Sequence, residues 1–185
     1  NVTISAFYIE KNNLIVGHNI RTQVGKATSS GFESDGDAEI IKGLYAKVGY
    51  AYTNAKFGKG TTKGDVDISG KRTSWTPEHT FNAWLNYEPA AIKGLGFGLG
   101  AFYTGKTFQN ELNTQYLPAY TITNGTVYYE TKNRVRIGLN VENLFNKRYY
   151  NNALSSNDLW YSDDADAPYQ SQMQIYPGRD RNYKL

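Results

Sequence analysis

Cysteine is absent from all 185 residues, so neither a disulfide framework nor a thiolate metal site is available. Histidine occurs only at His18 and His79, too far apart in sequence to suggest a metal centre. No apolar run approaches the roughly 20 residues that a membrane helix needs. The best stretch, 94–103, is about half that long and rich in glycine. Charge of one sign is also missing. Lys and Arg number 20 against 17 Asp and Glu, and the basic residues are scattered, which argues against a nucleic-acid partner. No nucleophile stands beside a base and no G-x-S-x-G string occurs, so no enzyme chemistry is expected and no cofactor is called for. Helical periodicity, linkers and internal domain boundaries are likewise not found.

Tyrosine is plentiful, with 16 residues against 8 Phe and 3 Trp. Its apolar ring and polar tip suit a membrane–water boundary. They also suit the strands of a soluble β-sandwich. A mean hydropathy of −0.60 looks soluble. Membrane barrels give similar values, because every second residue faces a polar interior.

The second abundant signal is period two. Val135, Ile137, Leu139 and Val141 alternate with Arg136, Gly138, Asn140 and Glu142. In 94–104, Leu95, Phe97, Leu99, Ala101 and Tyr103 form one face, and Gly94, Gly96, Gly98 and Gly100 the other. Such a glycine row leaves room for something packed closely inside a barrel, or marks a bent or bulged strand. Stretches 44–53 and 79–87 alternate clearly; 1–9 and 120–130 are plausible strands, 14–23 and 30–38 weaker ones, and 178–185 begins a last one. The expectation is about eight full antiparallel strands and a partial ninth, each of about 9–11 residues, as a tilted bilayer crossing requires. From Leu44 onward long connections (54–78, 106–119, 147–177) alternate with short ones (39–43, 89–93, 131–133), as in a hairpin meander with its long loops at one end. In a barrel the apolar set faces outward; in a soluble sandwich it lies in a core.

After this strand pattern come Asn143-Leu144-Phe145-Asn146-Lys147 and then Tyr149 and Tyr150. An Asn-rich turn accounts for Asn143 and Asn146, since Asn tolerates left-handed backbone. It leaves Leu144 and Phe145 unexplained. With Asn140, the string N-x-x-N-L-F-N-K-x-Y resembles the signature near the C-terminus of TonB-dependent outer-membrane receptors. Gly31-Phe32-Glu33, Thr76-Pro77-Glu78-His79-Thr80-Phe81, Leu117-Pro118-Ala119-Tyr120 and Pro177-Gly178-Arg179 agree with that family in the same order. The strings TPEHTFNAWLNY and LPAYT…NLFNKRYY look most like its ferric-siderophore branch.

The resemblance implies an all-β fold, an antiparallel transmembrane β-barrel segment. The family's barrel has about 22 strands around a plug. The plug carries the box that touches TonB, and the ferric chelate binds between plug and outer loops. On this basis residues 1–185 are expected to be the C-terminal part of the barrel, without plug, box or early strands. A start at Asn1, with neither Met nor signal peptide, reads as an excised piece. The family's last strand usually reaches a terminal aromatic, whereas this chain stops at Leu185. Alone, the chain is expected neither to close nor to transport. The implied location is the Gram-negative outer membrane, as a multi-pass barrel. The implied partners are a ferric siderophore, outer-membrane lipid and the TonB complex through the missing plug, with no nucleic acid.

Phe108, Tyr116, Trp160, Tyr161 and Tyr169 fall in the long loops. Aromatics there can pack on a chelate, with Lys106 or Arg148 drawing in an anionic one. They can equally form a belt gripping lipid headgroups, which suits Tyr149 and Tyr150. Asp163, Asp164 and Asp166 lack the spacing of a calcium loop, so no metal site is expected there. Two other readings stand beside the receptor. One is a self-contained small outer-membrane barrel, structural or adhesive, whose last strand must pair with its first. The other is a soluble Tyr-rich β-sandwich that binds a partner.

Overall fold

The computed structural model describes residues 1–16, 22–23, 25–63, 66–155 and 173–184. Among these there are strands and turns and no helix. In chain order the strands are β1 (Val2–Asn12), β2 (Ile15–Val16), β3 (Thr22–Gln23), β4 (Lys26–Ile41), β5 (Leu44–Phe57), β6 (Thr62–Lys63), β7 (Val66–Asp67) and β8 (His79–Tyr87). They continue as β9 (Leu95–Thr104), β10 (Thr107–Phe108), β11 (Tyr116–Leu117), β12 (Tyr120–Glu130), β13 (Arg136–Glu142), β14 (Tyr150–Ser155), β15 (Met173–Pro177) and β16 (Asn182–Lys184). Eight of them form one antiparallel sheet in the order β1-β4-β5-β8-β9-β12-β13-β16. The others pair as two-stranded ribbons, β2–β3, β6–β7, β10–β11 and β14–β15. Each ribbon sits in a long connection, and the long connections all leave the same end of the sheet. At the other end the links are tight turns at 42–43, 88–94 and 131–135.

Register assigns the two faces. Leu85 opposes Leu99 and Tyr87 opposes Phe97, while Trp84 opposes Gly100 and Asn86 opposes Gly98. Val127 and Tyr129 fall beside Phe97 and Leu95, and Leu139 and Ile137 fall beside them in turn. One face is therefore apolar across the sheet. It is also uncovered: Ile137 is 67% exposed, Leu99 49% and Phe97 44%. A sandwich would bury these residues under a second sheet, so that reading is overturned. Each such side chain left in water forgoes about 1.5–3 kcal/mol, which a lipid cover recovers. At about 3.4 Å per residue, Leu44 to Tyr52 covers some 27 Å, close to the ~25 Å apolar band of outer-membrane barrels. Aromatics collect toward both limits of that band. Tyr50, Tyr52, Phe32 and His79 cluster toward the loop end, with the Tyr50 hydroxyl 2.8 Å from His79 Nδ1. Tyr87 and Tyr129 stand near the turns.

The opposite face is polar or glycine-rich. Glu33, Asp35, Asp37 and Glu39 alternate along β4 on this side, level with Ala51, Gly49, Lys47 and Tyr45 of β5. The glycine row of β9 is also here, and its space is already filled. A Cβ at Gly98 or Gly100 would run into the Trp84 indole, and one at Gly96 into the Tyr128 ring. Both of β9's ladders run without a register shift. The row is thus neither a bulge nor a vacancy; it seats two rings from the neighbouring strands. Gly94 does not belong to it. It precedes β9 at φ +87°, where a side chain would strike the Glu130 carbonyl.

The sheet holds seven longer strands and the short β16, one fewer than the eight and a partial ninth expected, and strand limits differ most at the loop end of β1, β4 and β5. Residues 14–23 do not join the sheet; the described part of that stretch forms the β2–β3 ribbon. Instead Glu10, Lys11 and Asn12 continue β1, and β4 begins at Lys26. Asn54–Phe57 likewise extends β5. These segments lie beyond the apolar band, so both faces can be polar and the alternation fades while the ladder continues. Among the described residues the sheet's outermost strands, β1 and β16, do not pair with each other, contrary to what the small closed barrel requires.

Candidate ligand-binding site

The buried apolar residues lie at the loop end. Ile68, Phe57, Ala55, Leu117 and Ala153 are enclosed there, and Leu14, Ala27 and Leu112 pack around Phe57 and Ile68. Polar clamps fix the loops to one another. Asn113 accepts from Arg72 N at 2.7 Å through Oδ1 and donates to Arg72 O at 2.8 Å through Nδ2. The Arg72 guanidinium donates to Thr53 O at 2.8 Å and pairs with Glu78 at 2.9 Å. Lys63 meets Glu111 at 2.8 Å. In the turn after β7, the hydroxyl and backbone N–H of Ser69 hold the Asp67 carboxyl below its usual range.

Trp75 joins three of these segments. Its N–H donates to Phe108 O at 2.8 Å and its indole Nε1 donates to Ala153 O at 3.4 Å. It does so from a left-handed backbone, φ +57°, a conformation that costs a non-glycine residue of order 1–3 kcal/mol. Beneath it lies a cavity of about 370 Å³, bounded by the 75–77 segment, β10–β11, the start of β12 and β14. This is at the small end of ligand-site volumes. Trp75, Tyr120 and Tyr150 give the wall its rings, and Leu117 and Leu154 add apolar surface. Thr104, Gln109, Asn151 and Asn152 supply hydrogen-bonding groups. No described lining residue carries a charge. Gln109 is 2% exposed; its Nε2 donates to Thr107 O at 3.1 Å, while its Oε1 meets no donor.

The aromatic candidates distribute unevenly. Phe108 and Tyr116 are cross-strand partners in β10–β11, with rings edge-on at 6.4 Å. Their neighbours Thr107 and Leu117 line the cavity, so alternation turns Phe108 and Tyr116 to the other side of the ribbon. Lys106 Nζ sits 4.6 Å and 4.1 Å from their ring centroids, a cation–π contact within the ribbon. Trp160, Tyr161, Tyr169, Asp163, Asp164 and Asp166 lie outside the described residues. Arg148 is exposed and takes no part in the wall.

The Asn-rich string is a clamp. Asn143 and Asn146 are both left-handed, at φ +50° and +52°. Asn143 is 3% exposed; Nδ2 donates to Lys147 O at 2.9 Å and Arg179 O at 3.0 Å, and Oδ1 accepts from Lys147 N at 2.8 Å. Asn146 Oδ1 accepts from Arg181 N at 3.0 Å. Leu144 N donates to Thr123 O at 2.6 Å, and Phe145 is exposed. Asn140 stands on the polar face beside Thr126 and Lys184. The Tyr149 ring lies tilted against Tyr120, centroids 4.6 Å apart, and covers Gly178. The string thus ties β13 to β12 and to the approach to β16, and only its last neighbour, Tyr150, reaches the cavity. Sequence reading passed over Trp75 and Gln109; the sole sequence hint for Trp75 was its place directly before Thr76-Pro77-Glu78.

Comparison with known proteins places this geometry. A family model described as TonB dependent receptor-like, beta-barrel, matches residues 1–144. The ferrioxamine B receptor of Salmonella typhimurium is 30% identical over 132 residues, covering 68% of this chain and 18% of that protein. The probable TonB-dependent siderophore receptor PiuA of Acinetobacter baumannii is 30% identical over 165 residues, covering 84% of this chain and 22% of the relative. The crystal structure of PiuA superposes with a TM-score of 0.75 at 21% identity, over 98% of this chain and 25% of that one. The ferric yersiniabactin uptake receptor FyuA of Yersinia pestis gives 0.77 at 15% identity, over 97% and 26%. The chain spans about a fifth of the length of the curated relatives it matches.

Proposed function

The chain belongs to the TonB-dependent receptor-like β-barrel family, and on that premise we propose that it forms part of the wall and outer loops of a Gram-negative outer-membrane receptor that takes up a ferric siderophore. The observation that carries this reading is the two-faced sheet: one continuous apolar face left uncovered, one polar face, and packed loops at a single end. In lipid, every backbone polar group needs a partner, so a sheet of this kind is stable only within a closed barrel. In this proposal residues 1–185 lie in the C-terminal part of that barrel, on their likeness to the family's C-terminal signature, and a plug domain of the complete receptor makes the contact with TonB. The role is binding and passage, not catalysis. The loop-end cavity meets the ligand, and the apolar face meets outer-membrane lipid.

The test is uptake of iron-55 from ferric siderophores by cells expressing the complete receptor that carries this segment, with and without a functional TonB system. Uptake should require both receptor and TonB. Equal uptake in the two backgrounds would contradict the reading.

A further inference from the structure

We infer that the cavity beneath Trp75 selects an electrically neutral ferric chelate, built of hydroxamate and amide groups on methylene spacers, over polyanionic ferric complexes. This rests on the siderophore-receptor reading above and narrows it to a ligand class.

Charge is the first argument. Three monoanionic hydroxamates cancel the charge of Fe(III), whereas three dianionic catecholates leave the complex triply negative. Moving a trianion out of water onto this wall is costly unless cations or many donors meet it. The described cavity wall has no cation. Of the basic groups in these loops, Arg72 pairs with Glu78, Lys71 with Leu112 O at 3.0 Å and Lys63 with Glu111, while Arg148, two residues before Tyr150, is exposed and stands outside the wall. Lys106 lies between Phe108 and Tyr116 on the far side of the ribbon.

Hydrogen bonding is the second argument. Asn151, Asn152 and Gln109 present carboxamides, which donate and accept and so match the amide and hydroxamate links of a neutral chelate. Gln109 Oε1, buried and without a donor, needs an N–H or O–H. A secondary amide in the chelate's backbone supplies one. The rings of Trp75, Tyr120 and Tyr150 provide faces for the methylene spacers. The cavity's volume admits one arm or one face of such a complex. Selection therefore comes as much from failing to compensate the wrong ligand as from fitting the right one.

The experiment measures binding to de-energised outer membranes containing the complete receptor. The probes are ferrichrome, a neutral ferric tris-hydroxamate, and ferric enterobactin, a ferric tris-catecholate trianion. Ferrichrome should bind at least about tenfold more tightly, a difference of ~1.4 kcal/mol. Asn151→Lys places a cation at an exposed point of the wall and should raise binding of the trianion by about tenfold. Asn152→Lys is a second, equally exposed variant for the same readout. Equal or tighter binding of the trianion by the unmodified receptor overturns the inference, as does failure of both lysine variants to improve it. If neither probe nor any other ferric siderophore binds, the receptor reading itself falls, and this inference with it.

Discussion

Replacing Asn143 separates two roles that its side chain and backbone combine. The side chain makes three hydrogen bonds, to Lys147 O, Arg179 O and Lys147 N. Each contributes about 0.5–1.5 kcal/mol net. The backbone at φ +50° adds about 1–2 kcal/mol of strain for a residue other than Gly or Asn. Asn143→Gly therefore removes the bonds alone and should cost about 2–4 kcal/mol locally. Asn143→Ala removes the bonds and adds strain, so it should cost about 1–2 kcal/mol more. Asn143→Asp keeps the Lys147 N–H acceptor, loses both donors and should be intermediate. Amide hydrogen exchange in the receptor, reconstituted in bilayers, reads this locally without assuming two-state unfolding of a barrel. The Lys147 amide, which donates to Asn143 Oδ1, should exchange about two orders of magnitude faster in the glycine variant if opening is eased by ~3 kcal/mol. Identical exchange in the Gly and Ala variants would refute the left-handed backbone argument. Unchanged exchange in Asn143→Gly would refute the clamp.

Other consequences are open to direct measurement. Gly98→Leu drives a side chain into the Trp84 indole and the Thr126 methyl and should cost at least about 1–3 kcal/mol; pairing it with Trp84→Ala should restore the part owed to the indole in urea unfolding, and a purely additive double variant would exclude contact with Trp84 as the cause. Lys59→Cys, in the exposed loop before β6, should react with an impermeant maleimide on intact cells, and Lys132→Cys, in a tight turn, only after outer-membrane rupture; the reverse pattern inverts the topology. The lowered Asp67 carboxyl stabilises its turn at neutral pH, above its unfolded value, and that contribution is lost only as pH falls through the still lower folded value. The Ser69 amide chemical shift should therefore titrate below the midpoint of an aspartyl peptide, and a midpoint at or above it would remove the hydrogen bond from the account.

Sequence legibility followed the lipid. Where strands cross an apolar band, Leu44 to Tyr52 or Leu95 to Tyr103, one face had to be apolar, and period two gave the strand and its orientation together. Beyond the band nothing enforces that pattern. Thr28 and Ser29 read as a connection although they are laddered on both sides. The glycine row was visible, but its filling by Trp84 and Tyr128 depends on partners from other strands that no local pattern reveals. The same holds for the site. Phe108 and Tyr116 were picked out as exposed-loop aromatics, yet a two-residue ribbon has no period from which to tell which side they face. Trp75 reaches the cavity by a left-handed turn that tryptophan itself does not announce. The Asn-rich string was readable as two left-handed positions, whereas its ties to Asn124, Arg179 and Arg181 are long-range.

The rings seated on the glycines of β9 also change how the polar face behaves under shear. Trp84 and Tyr128 cover Gly96, Gly98 and Gly100, and the Arg136 guanidinium lies 3.6 Å over Tyr128. The Trp84 indole is flat and apolar, so a body seated on it can slide along the strand axis while giving up little, because dispersion contacts re-form at every offset; the Tyr128 hydroxyl, tied to Asn86 and Glu88, bounds that track. The ladder of Glu33, Asp35, Asp37 and Glu39 on β4 behaves oppositely: a basic partner there is held at discrete positions, one residue pair apart, and each step must break an ion pair before making the next. One face thus combines a low-friction track with a toothed rack, and the direction in which an occupant yields to a pulling force is set by which of the two it rests on.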